Sequence, residues 1–162
     1  MEQKLDAIDR KILQILEKDA KTNTKEIAER LQMTKTPVYE RIRRLEKNGF
    51  ISKYVAILDK NKIEPSITVF SFVSLDAQKE RLMDDFAASV KKYPEVVECF
   101  VVGGEFDFLL KIIVKDLDDY FKFSKDKVAS LPHIGMVKSA FVLNEVKDST
   151  YFPLLEKKEA AS

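Results

Sequence analysis

Three times in the first fifty residues, apolar positions recur at helical spacing with a residue suited to starting or stopping a helix beside them. Leu5, Ile8, Ile12, Leu13 and Leu16 keep to one face, with Asp6 placed to cap it and Lys18-Asp19 at its end. Asn23, with Glu26 three residues on, reads as a capping box ahead of Ile27, Ala28 and Leu31. After Gln32 and Met33, Thr34 is placed to cap a third helix and Pro37 falls in its first turn, where a missing N–H breaks no intrahelical bond. Val38, Ile42 and Leu45 then mark the inward stripe, and Gly49 stops the helix. Three amphipathic helices give one another a surface to bury against.

The period changes after Ile51. The run to Ile63 is β-prone and ends in a polar turn, which predicts a connecting strand and hinge, and Pro65 closes it. Beyond it the pattern predicts a strand over Ile67 to Leu75, a helix over Lys79 to Tyr93, strands over Val96 to Val102 and Phe106 to Val114, a helix over Leu117 to Leu131, and a strand over Met136 to Val146. Gly103-Gly104 suits a hairpin that needs positive φ. The order βαββαβ is that of a four-stranded antiparallel sheet with two helices on one face, the ferredoxin-like arrangement. Val101, Leu109 and Phe141 lie in strands too apolar to leave the other face in water, so two sheets are expected to pack across a two-fold axis.

The expected fold is therefore α+β. A helix-turn-helix domain takes residues 1–50, a hinge takes 51–66, a ferredoxin-like domain takes 67–155 and a disordered tail takes 156–162. Tyr151 to Leu155 is read as an added edge strand.

Charge sharpens the division. The chain of 162 residues has a net charge of +1, yet residues 1 to 63 hold 15 Lys and Arg against 10 Asp and Glu, leaving 13 against 17 for the rest. A basic end suited to polyanions is joined to an acidic remainder. At 100° per residue the outer face of the third helix carries Thr36, Glu40, Arg43 and Lys47, flanked by Tyr39 and Arg44, with Lys35 in its first turn. A capped, basic second helix after a tight turn is the geometry that enters a major groove. Tyr39 is equally suited to packing on the first helix and to touching phosphate or base.

Other classes fall away. No apolar run approaches a bilayer span and the N-terminus lacks the apolar core of a signal peptide, so a cytoplasmic protein is expected. The single Cys99 cannot form an internal disulfide, and one His with one Cys completes no metal site. No phosphate-cradling loop or catalytic triad is present, so neither an enzyme nor a cofactor is expected.

Four stretches in order, LDAIDRKILQIL from Leu5, ERIRRLEKNGFI from Glu40, GEFDFLLK from Gly104 and LNEVKDS from Leu143, resemble the leucine-responsive regulatory protein (Lrp/AsnC, feast/famine) family of transcription regulators. The resemblance covers about residues 4 to 150. It implies a sequence-specific regulator of double-stranded DNA, assembled as homodimers and often octamers, with an amino-acid effector bound between subunits. It also implies that Gly104, Glu105, Phe106 and Asp107 form the effector loop, with Ser139 facing the same pocket. Asp107 would accept from an α-ammonium group, though a charge guarding a sheet edge is the alternative. Three positions depart from the family pattern: Gln32 and His133 stand where Gly is common, and Val137 where Thr is common.

Overall fold

A computed structural model describes residues 4–77, 79–148 and Phe152. The chain divides into two compact units. One holds the chain up to Ile57 together with the described residues from Lys147 on, and the other is Leu58–Val146. The division falls inside the segment expected as a hinge. The edge strand expected at 151–155 and the tail from 156 lie outside the described residues, apart from Phe152, which is not in a strand.

The first unit is built on α1 (Ala7–Lys18), α2 (Thr24–Leu31) and α3 (Lys35–Lys47). Asp6 caps α1 in a reciprocal box with Asp9: the Asp9 N–H donates to Asp6 at 2.7 Å and the Asp6 N–H donates to the Asp9 carboxylate at 3.4 Å. Asn23 accepts from the Glu26 N–H at 3.0 Å to start α2. Thr34 differs from expectation. It has the extended backbone of a cap, but its side chain makes no capping hydrogen bond. Gly49 ends α3 at φ 75°, with its N–H on the Glu46 carbonyl and the Phe50 N–H on the Leu45 carbonyl, both at 3.0 Å. This pair of bonds is a Schellman motif, which satisfies two carbonyls that the helix leaves open. Ile12, Leu16, Ile27, Ala28, Val38 and Leu45 form the buried core.

An ionic clamp ties the first helix to the third. The Arg41 guanidinium donates to Asp6 at 2.5 Å and to Asp9 at 2.7 Å, while Arg44 donates to both Asp9 oxygens at 2.9 Å. The Asp9 side chain is only 4% exposed. Asp9 is the buried member and the other three stay partly in water, so the clamp fixes orientation around one desolvated carboxylate. Burial pushes the Asp6 carboxyl up, but hydrogen bonds from the Asp9 N–H and Arg41 outweigh it and hold the group below its ordinary 3.8.

From Ile51 to Asp59 the expected connecting strand is absent. Among the described residues the backbone there has no neighbouring strand to pair with, and Tyr54, Val55, Ile57 and Leu58 are left exposed. The Tyr54 hydroxyl donates to Glu46 at 2.9 Å. Burial and this carboxylate push its pKa up to about 12.

The second unit has the expected topology. Strands β1 (Ile67–Leu75), β2 (Val96–Val101), β3 (Phe108–Val114) and β4 (Ile134–Phe141) form one antiparallel sheet in the order β2-β3-β1-β4. Helices α4 (Glu80–Val90) and α5 (Leu117–Phe123) cover one face. Alternation decides which residues they bury. Val69, Val73 and Leu75 from β1 and Phe108, Leu110, Ile112 and Val114 from β3 form the core with Phe86, Val90, Tyr120 and Phe123. The long helix expected from Leu117 ends at Phe123 and continues as a π-helical turn, Ser124–Val128.

The opposite face has no cover among the described residues. Register sets Phe100, Leu109 and Phe72 in one cross-strand row, with Phe70 and Ile113 beside it. Val101 and Phe141 belong to the helix-covered side instead, paired with Phe108 and Val69. They stay 66% and 43% exposed because β2 and β4 are the sheet's edges.

Among the described residues, positive φ outside glycine occurs at Gln32 (54°) and His133 (65°). These are two of the three departures from the family pattern. A left-handed backbone costs an L residue about 1 kcal/mol or more, which glycine avoids. Gln32→Gly and His133→Gly are each expected to raise stability in urea denaturation by about 0.5–1 kcal/mol, net of glycine's greater entropy when unfolded. A loss of stability in both would contradict the strain. The clamp yields an acid dependence. A depressed carboxyl contributes stability above its ordinary value of 3.8 that is lost as pH falls through the folded-state value. Asp6→Asn keeps a competent cap but loses the ion pair, so it should melt below the parent at neutral pH, with the gap closing under acid. A gap independent of pH would assign Asp6 to capping alone.

Candidate nucleic-acid interface and effector loop

Helix α3 carries the first site. Lys35, Thr36, Tyr39, Glu40, Arg43, Arg44 and Lys47 are all exposed. Tyr39 is half exposed, which leaves its ring available beyond the helix packing. The inward stripe explains the arrangement: Val38 and Leu45 are buried and Ile42 packs partly against them, so the outer face points away from the core.

The two flanking arginines have different roles. Arg43 lies on the outermost arc, whereas Arg44 is turned toward α1 and shares Asp9 with Arg41. A single nitrogen of Arg44 holds both carboxylate oxygens, so the clamp fixes the side chain while the other guanidinium nitrogens keep donors to offer. Arg41 was not among the residues expected to matter. The signal was its position: it sits at the margin of the apolar stripe, three residues after Val38 and four before Leu45, where a basic side chain needs a partner. Asp6 and Asp9 in the first helical turn are that partner.

The second site is the connection between β2 and β3. It runs from Val102 to Asp107, six residues rather than a tight hairpin, and of the two glycines only Gly104 takes positive φ, at 127°. The Val102 N–H donates to the Asp107 carbonyl and the Asp107 N–H donates to the Val73 carbonyl, both at 2.9 Å. Asp107 is buried, and one carboxylate oxygen accepts from the Leu75 N–H at 2.8 Å. Its charge is thus engaged by the chain's own backbone, where it fixes the base of the loop.

Phe106 and Glu105 lie on the uncovered side. The Phe106 ring packs on Phe72 with centroids 5.2 Å apart, Lys138 stands 5.1 Å over the Phe106 ring, and its ammonium donates to Glu105 at 2.7 Å. A cation over an aromatic face, held by a carboxylate, orients the loop tip. Lys138 belongs to none of the four family-like stretches, and its partners lie more than thirty residues away, so no local signal singles it out.

Ser139 does not join this group within one chain. It pairs with Ser71 on the helix-covered side and hydrogen-bonds to the Tyr120 hydroxyl, which also bonds Ser71 at 2.9 Å. Asp107 holds Leu75, four residues farther along β1, a separation of roughly 13 Å along a strand. Val137 faces Val73 on the same covered side. Among the described residues no group of three or more His, Cys, Asp or Glu side chains is placed to hold a metal, and no helix is long and apolar enough to cross a membrane.

Known proteins share this arrangement. The profile for the Lrp/AsnC ligand-binding domain matches residues 68–152, and one for a winged helix-turn-helix DNA-binding domain matches residues 5–52. The leucine-responsive regulatory protein of Salmonella typhimurium is 38% identical over 145 residues, 90% of this chain and 88% of that protein. Its counterpart in Escherichia coli K12 is 37% identical over the same span. A transcriptional regulator of Neisseria meningitidis, solved as a complex with L-Met, superposes with a TM-score of 0.87 at 34% identity, covering 93% of this chain and 97% of that one. An AsnC family transcriptional regulator of Agrobacterium tumefaciens gives 0.86, also at 34% identity and with the same coverage. With a helix-turn-helix unit at one end and the family's ligand-binding sheet at the other, the chain belongs to the Lrp/AsnC family of transcription regulators.

Proposed function

We propose that this protein is a cytoplasmic, sequence-specific regulator that binds double-stranded DNA through α3 and responds to an amino acid held between its C-terminal domains. The observation that carries the DNA reading is the outer face of α3. Thr36, Tyr39, Glu40 and Arg43 are exposed together on a helix whose other side is locked into a core, so they are available to meet base edges. Lys35, Arg44 and Lys47 border them and supply phosphate contacts.

The effector reading rests on the Gly104–Asp107 loop and Ser139. These groups do not converge within one chain, which favours a pocket completed by a second copy. The L-Met complex of the Neisseria regulator supports an amino acid as its occupant. Assembly follows from apolar surface. Phe70, Phe72, Phe100 and Leu109 form a sheet face that a homodimer would cover. Leu117 and Phe121, four apart on α5 and 61% and 65% exposed, offer a second surface through which dimers would grow to an octamer. An effector that binds one assembly better than another shifts the balance between them, and with it the spacing of half-sites a complex can engage.

Selection of bound duplexes from a random-sequence pool, followed by fluorescence anisotropy on a selected fragment, tests this reading. The parent should bind the fragment at least ~10³-fold more tightly than scrambled DNA at moderate salt. Arg43→Ala combined with Lys47→Ala should weaken binding and flatten the slope of log affinity against log salt by roughly 1 for each phosphate no longer neutralised. Repeating the titration with each standard amino acid should move the curve for at least one. Unchanged affinity in the double variant would remove α3 from the interface, and a full panel without effect would remove the effector.

A further inference from the structure

The Ser71 hydroxyl is an unusual group for the centre of this sheet. It is 1% exposed, sits on the inner strand β1 among Val69, Val73 and Leu110, and has Tyr120 as its only side-chain hydrogen-bond partner among the described residues. A buried hydroxyl must place its hydrogen somewhere, because an orphaned donor costs about 1–3 kcal/mol. The Tyr120 oxygen, 2.9 Å away, is the acceptor available. Tyr120 is buried as well, its ring held edge-on by Phe141 with centroids 5.2 Å apart, and its hydroxyl touches Ser71 on one side and Ser139 on the other. Having accepted from Ser71, Tyr120 has one hydrogen to give, and it goes to Ser139. Ser139 then accepts from the interior and keeps its own hydrogen for the outside. Ser139 is exposed on the edge strand β4, so in the free chain water takes that hydrogen.

Burial at one end thus sets the direction of a three-hydroxyl chain, and its exposed end is a donor. We propose that Tyr120 is a positioning residue for effector binding: with Ser71 behind it, it turns the Ser139 O–H outward to donate to the carboxylate of the bound amino acid. This rests on the effector reading above and adds which end of the ligand Ser139 recognises. A donor aimed at a carboxylate makes a charge-assisted bond, roughly twice as strong as one to a neutral amide oxygen. The free amino acid should therefore depend on the chain more than its carboxamide does.

Isothermal titration of the full-length protein tests it, with L-methionine and L-leucine as first probes, then the other standard amino acids, and the carboxamide of the tightest binder. Tyr120→Phe keeps the ring but removes the link, and should weaken the amino acid roughly five- to tenfold while changing the carboxamide less than about twofold. Ser71→Ala removes the buried donor that sets the direction. It should give a smaller loss, roughly two- to threefold, again selective for the carboxylate. This second variant keeps the test decisive if Tyr120→Phe folds poorly. Equal losses for acid and carboxamide, or none in either variant, would overturn the hydroxyl chain and leave the effector reading standing. No heat from any amino acid with the parent would overturn that reading, and this inference with it.

Discussion

A four-stranded sheet with helices on one side only is half of a folded object. Alternation along β1 and β3 sends Val69, Val73, Leu110 and Ile112 into the core beneath α4 and α5, and the same alternation sends Phe70, Phe72, Leu109 and Ile113 the other way. Apolar area removed from water contributes about 25 cal/mol per Å², so a face carrying several phenylalanines would gain stability by being covered. The proposed homodimer would cover that face with a second copy. The Glu105–Phe106 tip stands on this open side, whereas Ser139 stands on the helix-covered side of the edge strand β4, so the two halves of the proposed effector site do not meet within one chain. The effector response proposed for the C-terminal unit would therefore depend on packing between copies rather than on any one side chain.

The N-terminal unit answers a different constraint. A helix that must present charge outward still has to be fixed inward, and α3 is held in two ways. Val38 and Leu45 anchor it by burial, while Arg41 and Arg44 anchor it through Asp9 and the cap of α1. Two arginines meet on one buried carboxylate, each through a single terminal nitrogen, so α3 is tied to α1 from two successive turns. Arg43 stands outside this clamp, on the outer arc of the helix.

Much of this was legible in the sequence because periodicity is a direct image of burial. The helix stripes, the Asp6 and Asn23 caps, the Gly49 stop and the full extent of β1 could be read from residue type and spacing alone. What escaped was decided by tertiary partners. Thr34 has a capping residue's identity without the bond. The segment after Ile51 has a strand's composition, yet a strand needs a neighbour, and none pairs with it among the described residues. Asp107 is an effector-loop residue by resemblance, and the Leu75 N–H that its carboxylate also holds is visible only in the fold. Ser139 was singled out by resemblance, but its tie to Tyr120 and Ser71 joins three separate elements of the fold, a relation no local pattern encodes.

The dependence on the open sheet face is tested most directly by sedimentation velocity of the full chain across micromolar concentrations, beside Phe72→Glu with circular dichroism to confirm that the variant folds. The parent should sediment as a dimer or larger, and a folded variant should fall to a monomer, since a charge in the middle of the Phe100–Leu109–Phe72 row cannot be buried cheaply. A parent that stays monomeric throughout, or a variant that assembles unchanged, would contradict the claim that the uncovered face drives assembly.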